Sequence, residues 1–146
     1  TAKKFIMKKQ ILVLLFAITA GTSSFAQCDK KVTLVSSITE YLNSSFEVQR
    51  TANETTTIDF DSKEIFVTPG EQTMDGKINS ITCDWKTAFK EGKTVIKTVL
   101  NGQNGQSMTA TITIEGKDGK ITLLAEFEES PDMKVRLVAD KFEEIK

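Results

Sequence analysis

The pattern that most restricts the fold lies between Met108 and Glu115. Met108, Ala110, Ile112 and Ile114 alternate with Thr109, Thr111, Thr113 and Glu115, the two-residue period of a strand with one dry face and one wet face. Gly116-Lys117-Asp118-Gly119 reads as a turn, and a second extended run begins at Ile121. Folding about that turn sets Ile114 opposite Ile121, Ile112 opposite Leu123 and Ala110 opposite Ala125. A further hairpin about residues 128–133 sets Phe127 opposite Val135 and Ala125 opposite Leu137, which brings Ala139 to Leu123. All these pairs share one apolar face, as a correct register requires.

The rest of the chain after Cys28 reads the same way. Extended runs are expected at 32–41, 46–51, 55–60, 65–68, 77–85, 94–100, 107–115, 121–128 and 134–142, and the second and third can join as one bent strand. Ser62-Lys63 makes a tight turn that pairs Phe60 with Ile65 and Ile58 with Val67, and Pro69-Gly70 ends that hairpin because Pro cannot donate to a ladder. Successive hairpins predict an all-β antiparallel meander of eight to nine strands. A meander with one dry face must cover it, and a lipocalin-like barrel or half-barrel is the expected solution, with a β-sandwich as the alternative.

The start of the chain has a different character. Lys8 and Lys9 precede an apolar run from Ile11 to Ile18, and small residues lead to Ser24-Phe25-Ala26. This is the three-part layout of a cleaved secretory signal over residues 7–26. The apolar run stops short of the ~20 residues a spanning helix needs, so no membrane span is expected after cleavage. Gln27 before Cys28 does not suit lipid attachment. Residues 1–6 read as an upstream or artefactual extension, and 27–146 as a single β domain. Without Lys3, Lys4, Lys8 and Lys9, the 19 basic residues fall to 15 against 20 acidic, a net charge of −5. That balance argues against nucleic acid as a partner and offers no polybasic patch for anionic lipid. In an exported, periplasmic or secreted protein, Cys28 and Cys83 are most simply one disulfide; the rival reading is two free thiols.

Absent residues narrow the chemistry. The chain contains no histidine, so it has no His-based acid–base pair, Ser-His-Asp triad or His-ligated zinc. No Gly-rich loop opens a helix, and no cofactor is expected. Asp59, Asp61 and Glu64 fall on one side of the hairpin about Ser62-Lys63. Ca²⁺ ligation would relieve their repulsion; a solvated hairpin tip with Lys63 beside the acids is the other reading. A carboxylate-dependent hydrolase built on Asp59 and Asp61 also fits strand spacing. In the interior, the small residues Ala110, Ala125 and Ala139 leave room for either a large side chain such as Trp85, Phe89 or Phe127, or an apolar ligand. Pairing Val99 with Met108 would turn Lys97 inward to read an acidic headgroup; a shift of one residue would turn it to solvent and bring Ile96 in.

The stretches "TCDWKTAFKEGKTVIKT" (82–98) and "TITIEGKDGKITLLAEFEESPDMKVRLVADKFEEIK" (111–146) resemble small exported β-rich proteins of Gram-negative bacteria, a group to which no activity is attached. The resemblance implies export and a β-fold, and brings no catalytic motif. A lipocalin's usual Gly-x-Trp on its first strand is missing, Trp85 standing mid-chain instead. The expected function is therefore a non-catalytic binding module for a small amphipathic ligand. The alternative is a structural or interaction protein that meets a protein partner through a sheet edge or loops.

Overall fold

The computed structural model describes residues 28–146; the expected signal segment 7–26, the six residues before it and the expected cleavage point lie outside the described residues. The described chain contains no helix. It forms eleven strands: β1 (Val32–Ser36), β2 (Thr39–Leu42), β3 (Val48–Ala52), β4 (Thr56–Phe60), β5 (Glu64–Pro69), β6 (Met74–Thr87), β7 (Glu91–Asn101), β8 (Ser107–Lys117), β9 (Lys120–Phe127), β10 (Lys134–Val138) and β11 (Lys141–Glu144). All belong to one antiparallel sheet in the order β11-β1-β4-β5-β6-β7-β8-β9-β10-β2-β3, so the sandwich alternative, which needs two sheets, does not hold. The count exceeds the expected eight to nine because the runs 32–41 and 134–142 each break in two.

These breaks dictate the shape. β1 and β2 stand second and tenth in the sheet, yet only Ser37 and Ile38 join them. Laid flat, eight strand spacings would separate them by about 38 Å, whereas the three Cα steps from Ser36 to Thr39 reach at most about 11 Å. The sheet must therefore curl strongly enough to bring β1 and β2 together. On either side of the bend Val32 opposes Glu144, Val35 opposes Lys141, Thr39 opposes Leu137 and Leu42 opposes Lys134. These pairs follow one unbroken register of 32–42 against 134–144, with a lapse at the two bends. Asp140 bridges the lapse: its carboxylate accepts from Ser37 N at 2.7 Å, and its own N–H donates to Val35 O at 2.8 Å. The ladder keeps two free edges, β3 and β11, and among the described residues no strand pair joins them, so the sheet is not closed into the expected barrel.

The inner face carries the core. Burial alternates along β1, β4, β7, β8 and β9, and Leu34, Ile65, Ile96, Ile112, Ile114 and Leu123 are among the fully enclosed side chains. Burying each such side chain contributes roughly 1.5–3 kcal/mol.

Three expected registers are corrected. The β8–β9 turn is Asp118-Gly119 alone, both at positive φ (53° and 77°), a two-residue hairpin turn whose twist suits the flanking strands. β8 thus runs on through Gly116 and Lys117, and every pair slides by two: Ile114 opposes Leu123, Ile112 opposes Ala125 and Ala110 opposes Phe127. The β9–β10 pairs also slide by two, with Val135 opposite Ala125 and Leu137 opposite Leu123. Between β7 and β8 the slip is one residue, with Leu100 opposite Met108. The β4–β5 register is as expected, Phe60 opposite Ile65 and Ile58 opposite Val67.

Candidate functional site

Alternate turns of a meander lie at the same end of the roll. One end gathers the β4–β5, β6–β7 and β8–β9 turns; the other gathers residues 43–47, 70–73, 102–106 and 128–133. The two ends are packed differently.

The first end is plugged. Trp85 is 2% exposed, and its indole lies 5.7 Å from the Phe142 ring, which in turn meets Phe89 at 5.1 Å. Glycines let the indole lie this close: a Cβ on Gly116 would fall 2.8 Å from the indole Cζ3 and 2.5 Å from Lys90 O, and one on Gly92 would meet Trp85 itself. The indole N–H donates to Thr94 Oγ1 at 2.7 Å, and that hydroxyl donates to Cys83 Sγ at 3.6 Å. Cys83 is bridged to Cys28 with a Cα–Cα distance of 5.8 Å, so the expected staple is present and closes a loop across 55 positions.

The second end holds an apolar cavity of about 180 Å³. Its walls come from β2, β4, β5, β6, β7, β8, β9 and β10, which only a rolled sheet can bring together. Leu100, Ile112, Leu123 and Ala125 line its depth. Met74, Met108 and Met133, all three methionines of the described residues, line it together with Pro69; such flexible thioether side chains adapt readily to a guest. Few polar groups reach it. The Thr39 and Thr56 hydroxyls, both buried, lie 3.2 Å apart, and Tyr41 stands beside them with the Arg50 guanidinium 4.0 Å above its ring centre.

The expected site residues fare unequally. Ala125 lines the cavity. Ala110 is buried in the core opposite Phe127, and Ala139 is half-buried, its N–H donating to Ile121 O at 2.9 Å. The three alanines therefore do not face one another across a shared space. Lys97 is exposed: the one-residue slip between β7 and β8 turns it outward and places buried Ile96 and Thr98 inside, so the inward reading is corrected. Thr98 reconciles its hydroxyl with burial by donating to Lys77 O at 2.8 Å.

The three acids of the hairpin, Asp59, Asp61 and Glu64, have separate surroundings. Asp61 Oδ1 accepts the backbone N–H groups of Lys63 at 2.7 Å and Glu64 at 2.9 Å, closing the tip of the turn on itself. Those two bonds, with the more distant charges of Lys31 and Lys63, hold the Asp61 pKa below its ordinary value. Glu64 is exposed, and Asp59 stands opposite Phe66 and Thr33, its Oδ1 buried without a hydrogen-bond partner. Among the described residues no group of three or more His, Cys, Asp or Glu is placed to hold a metal ion.

Arg50, Tyr41, the Thr39–Thr56 pair and the methionines escaped sequence reasoning. The turn at 43–45 was a usable signal, since it opposes the runs holding Tyr41 and Arg50. A bulge between Tyr41 and Leu42 hides which residues align. Among the described residues, no helix is long and apolar enough to cross a membrane. Compared with known proteins, the chain matches no family model, no curated protein and no solved structure.

Proposed function

We propose that this protein is an exported, non-catalytic binding module that holds a small amphipathic ligand in the interior of a lipocalin-like half-barrel. The observation that carries the reading is the cavity at one end of the roll, apolar in its depth and with a few hydroxyls on one side. Its size sets the class of guest. A dry apolar cavity of roughly 150 Å³ takes benzene, whereas drug-sized molecules occupy about 300–1,000 Å³. The guest is then a chain or ring of about six carbons, or the end of a longer molecule whose remainder stays outside. The disulfide and the signal-like segment 7–26 support work in an oxidising compartment, periplasmic or extracellular.

One observation favours a second reading, an interaction protein. β3 is a free sheet edge whose residues are largely exposed; Phe46 just before it is 51% exposed and Val48, its first residue, 46%. Such an edge can accept a strand from another chain.

The intact mass of the natively exported protein, under native and then denaturing conditions, tests both. A small adduct lost on denaturation supports the binding module and yields the ligand. A bare monomer that also gains no mass from added six-carbon compounds argues against it, and a complex with a second protein supports the edge reading. The denatured mass also reports cleavage before Gln27 and the two hydrogens lost to the bridge.

A further inference from the structure

We infer that the cavity selects guests with an anionic head, a carboxylate in the simplest case, and that Arg50 is the residue that reads it; this rests on the binding reading above. Tyr41 and Arg50 are Cα partners across β2 and β3, so their side chains leave the sheet on the same face. Tyr41 lines the cavity, and the guanidinium 4.0 Å above its ring is therefore held at the cavity's edge. Stacking uses the flat face of the guanidinium and leaves its N–H fork free, the arrangement suited to bidentate capture of a carboxylate. The other arginine, Arg136, is already paired with Glu40 at 3.1 and 3.2 Å. No ion pair engages Arg50 among the described residues.

The charges on the surrounding loops oppose this choice. Glu47, Glu54, Glu71, Glu128, Glu129 and Asp132 lie on segments at the same end of the roll, and they would attract a cationic head. Glu129 is tied to the Thr109 backbone N–H, and exposed loop charges are screened beyond about 8–10 Å at ordinary salt. Arg50 is the charged group in contact with a cavity-lining ring, so the inference gives it the selection.

Three probes of equal chain length separate the cases: hexanoate, 1-hexanol and hexylammonium, titrated into the protein with its Met74, Met108 and Met133 methyl groups followed by NMR. The expected result is hexanoate binding about tenfold tighter than hexanol, a difference of ~1.4 kcal/mol, with hexylammonium weakest. Arg50→Gln, a substitution at an exposed position, should erase the hexanoate advantage and leave hexanol unchanged. Equal affinity for hexanoate and hexanol overturns the role of Arg50 while the cavity reading stands. Tightest binding of hexylammonium also overturns it and gives selection to the acidic loops. If none of the three moves the methionine methyls, the binding reading fails together with the inference.

Discussion

Replacing Thr94 by Val tests the packing of the plugged end. Thr94 is 1% exposed, and its hydroxyl both accepts from the Trp85 indole and donates to Cys83 Sγ. Valine keeps the shape and removes the oxygen, leaving a buried indole N–H with no partner. An abandoned buried donor costs about 1–3 kcal/mol. For a domain of this length, a melting entropy of ~2.1 cal/mol/K per residue gives a fall in Tm of about 4 °C per kcal/mol, hence roughly 4–12 °C. Urea unfolding followed by far-UV circular dichroism, a probe that serves in every background, measures the loss, provided the slope with denaturant stays constant. The decisive control is the double-mutant cycle with Trp85→Phe. Phenylalanine has no N–H to strand, so in that background Thr94→Val should lose only the sulfur contact and cost under ~0.5 kcal/mol. Equal costs in both backgrounds would refute the argument, because the penalty would then arise from threonine itself and not from the indole it satisfies.

Reducing the Cys28–Cys83 bridge should lower stability by up to ~4 kcal/mol, the chain-entropy value for a loop of this length; melts with and without reductant check it, and identical curves would show that the bridge constrains nothing. Asp61 has a lowered pKa in the folded state, so its contribution is present above the ordinary carboxylate value of 3.8 and is lost as pH falls through the lower folded pKa. The stability gap between the parent and Asp61→Asn should accordingly be constant near neutral pH and close in acid; a gap that widens in acid contradicts the assignment. Gly119→Ala should destabilise by about 1–2 kcal/mol through its positive φ alone, since a Cβ there meets nothing within 4 Å, and urea melts will show it. Ala125→Leu adds three carbons to the cavity wall: at ~0.8 kcal/mol per buried methylene it should leave the domain as stable or up to about 2 kcal/mol more so and abolish hexanol binding. A loss of 1–3 kcal/mol instead would mean the space was already full.

The period-two pattern made the all-β class, the strand positions and the membership of the inner face legible, and the Cys28–Cys83 pairing followed from parity. The pairings within the face were less accessible. In β8–β9 the four residues 116–119 were assigned to the turn, whereas Asp118 and Gly119 suffice because both accept positive φ. The error was two residues, so every side chain kept its face while changing its partner. Between β7 and β8 the five-residue loop 102–106 left the register free to slip by one, which reverses the face, and Lys97 was misplaced for that reason. The breaks at Ser37-Ile38 and Ala139-Asp140 carry no local mark such as Pro or Gly. They arise where a long strand bends as the sheet curls, a long-range demand that no window of a few residues contains.

Correct faces with shifted partners explain why the interior was foreseen and its contents were not. Three facing alanines would have put a void at mid-sheet. The two-residue slide places Phe127 opposite Ala110 and Val135 beside Ala125, so that Phe127, Val135 and Ala125 wall the free space and the other two alanines do not open onto it. The staple, the indole and the glycines beneath it all lie at the other end, where rigid contacts are concentrated. The cavity end has flexible thioethers, four connecting segments and the free edge β3 instead. Local opening is cheapest where buried contacts are fewest, so under the proposed binding function a guest would enter between Met74, Met108 and Met133 and leave Trp85 undisturbed. The bridge would then stabilise the end that this proposal does not require to open.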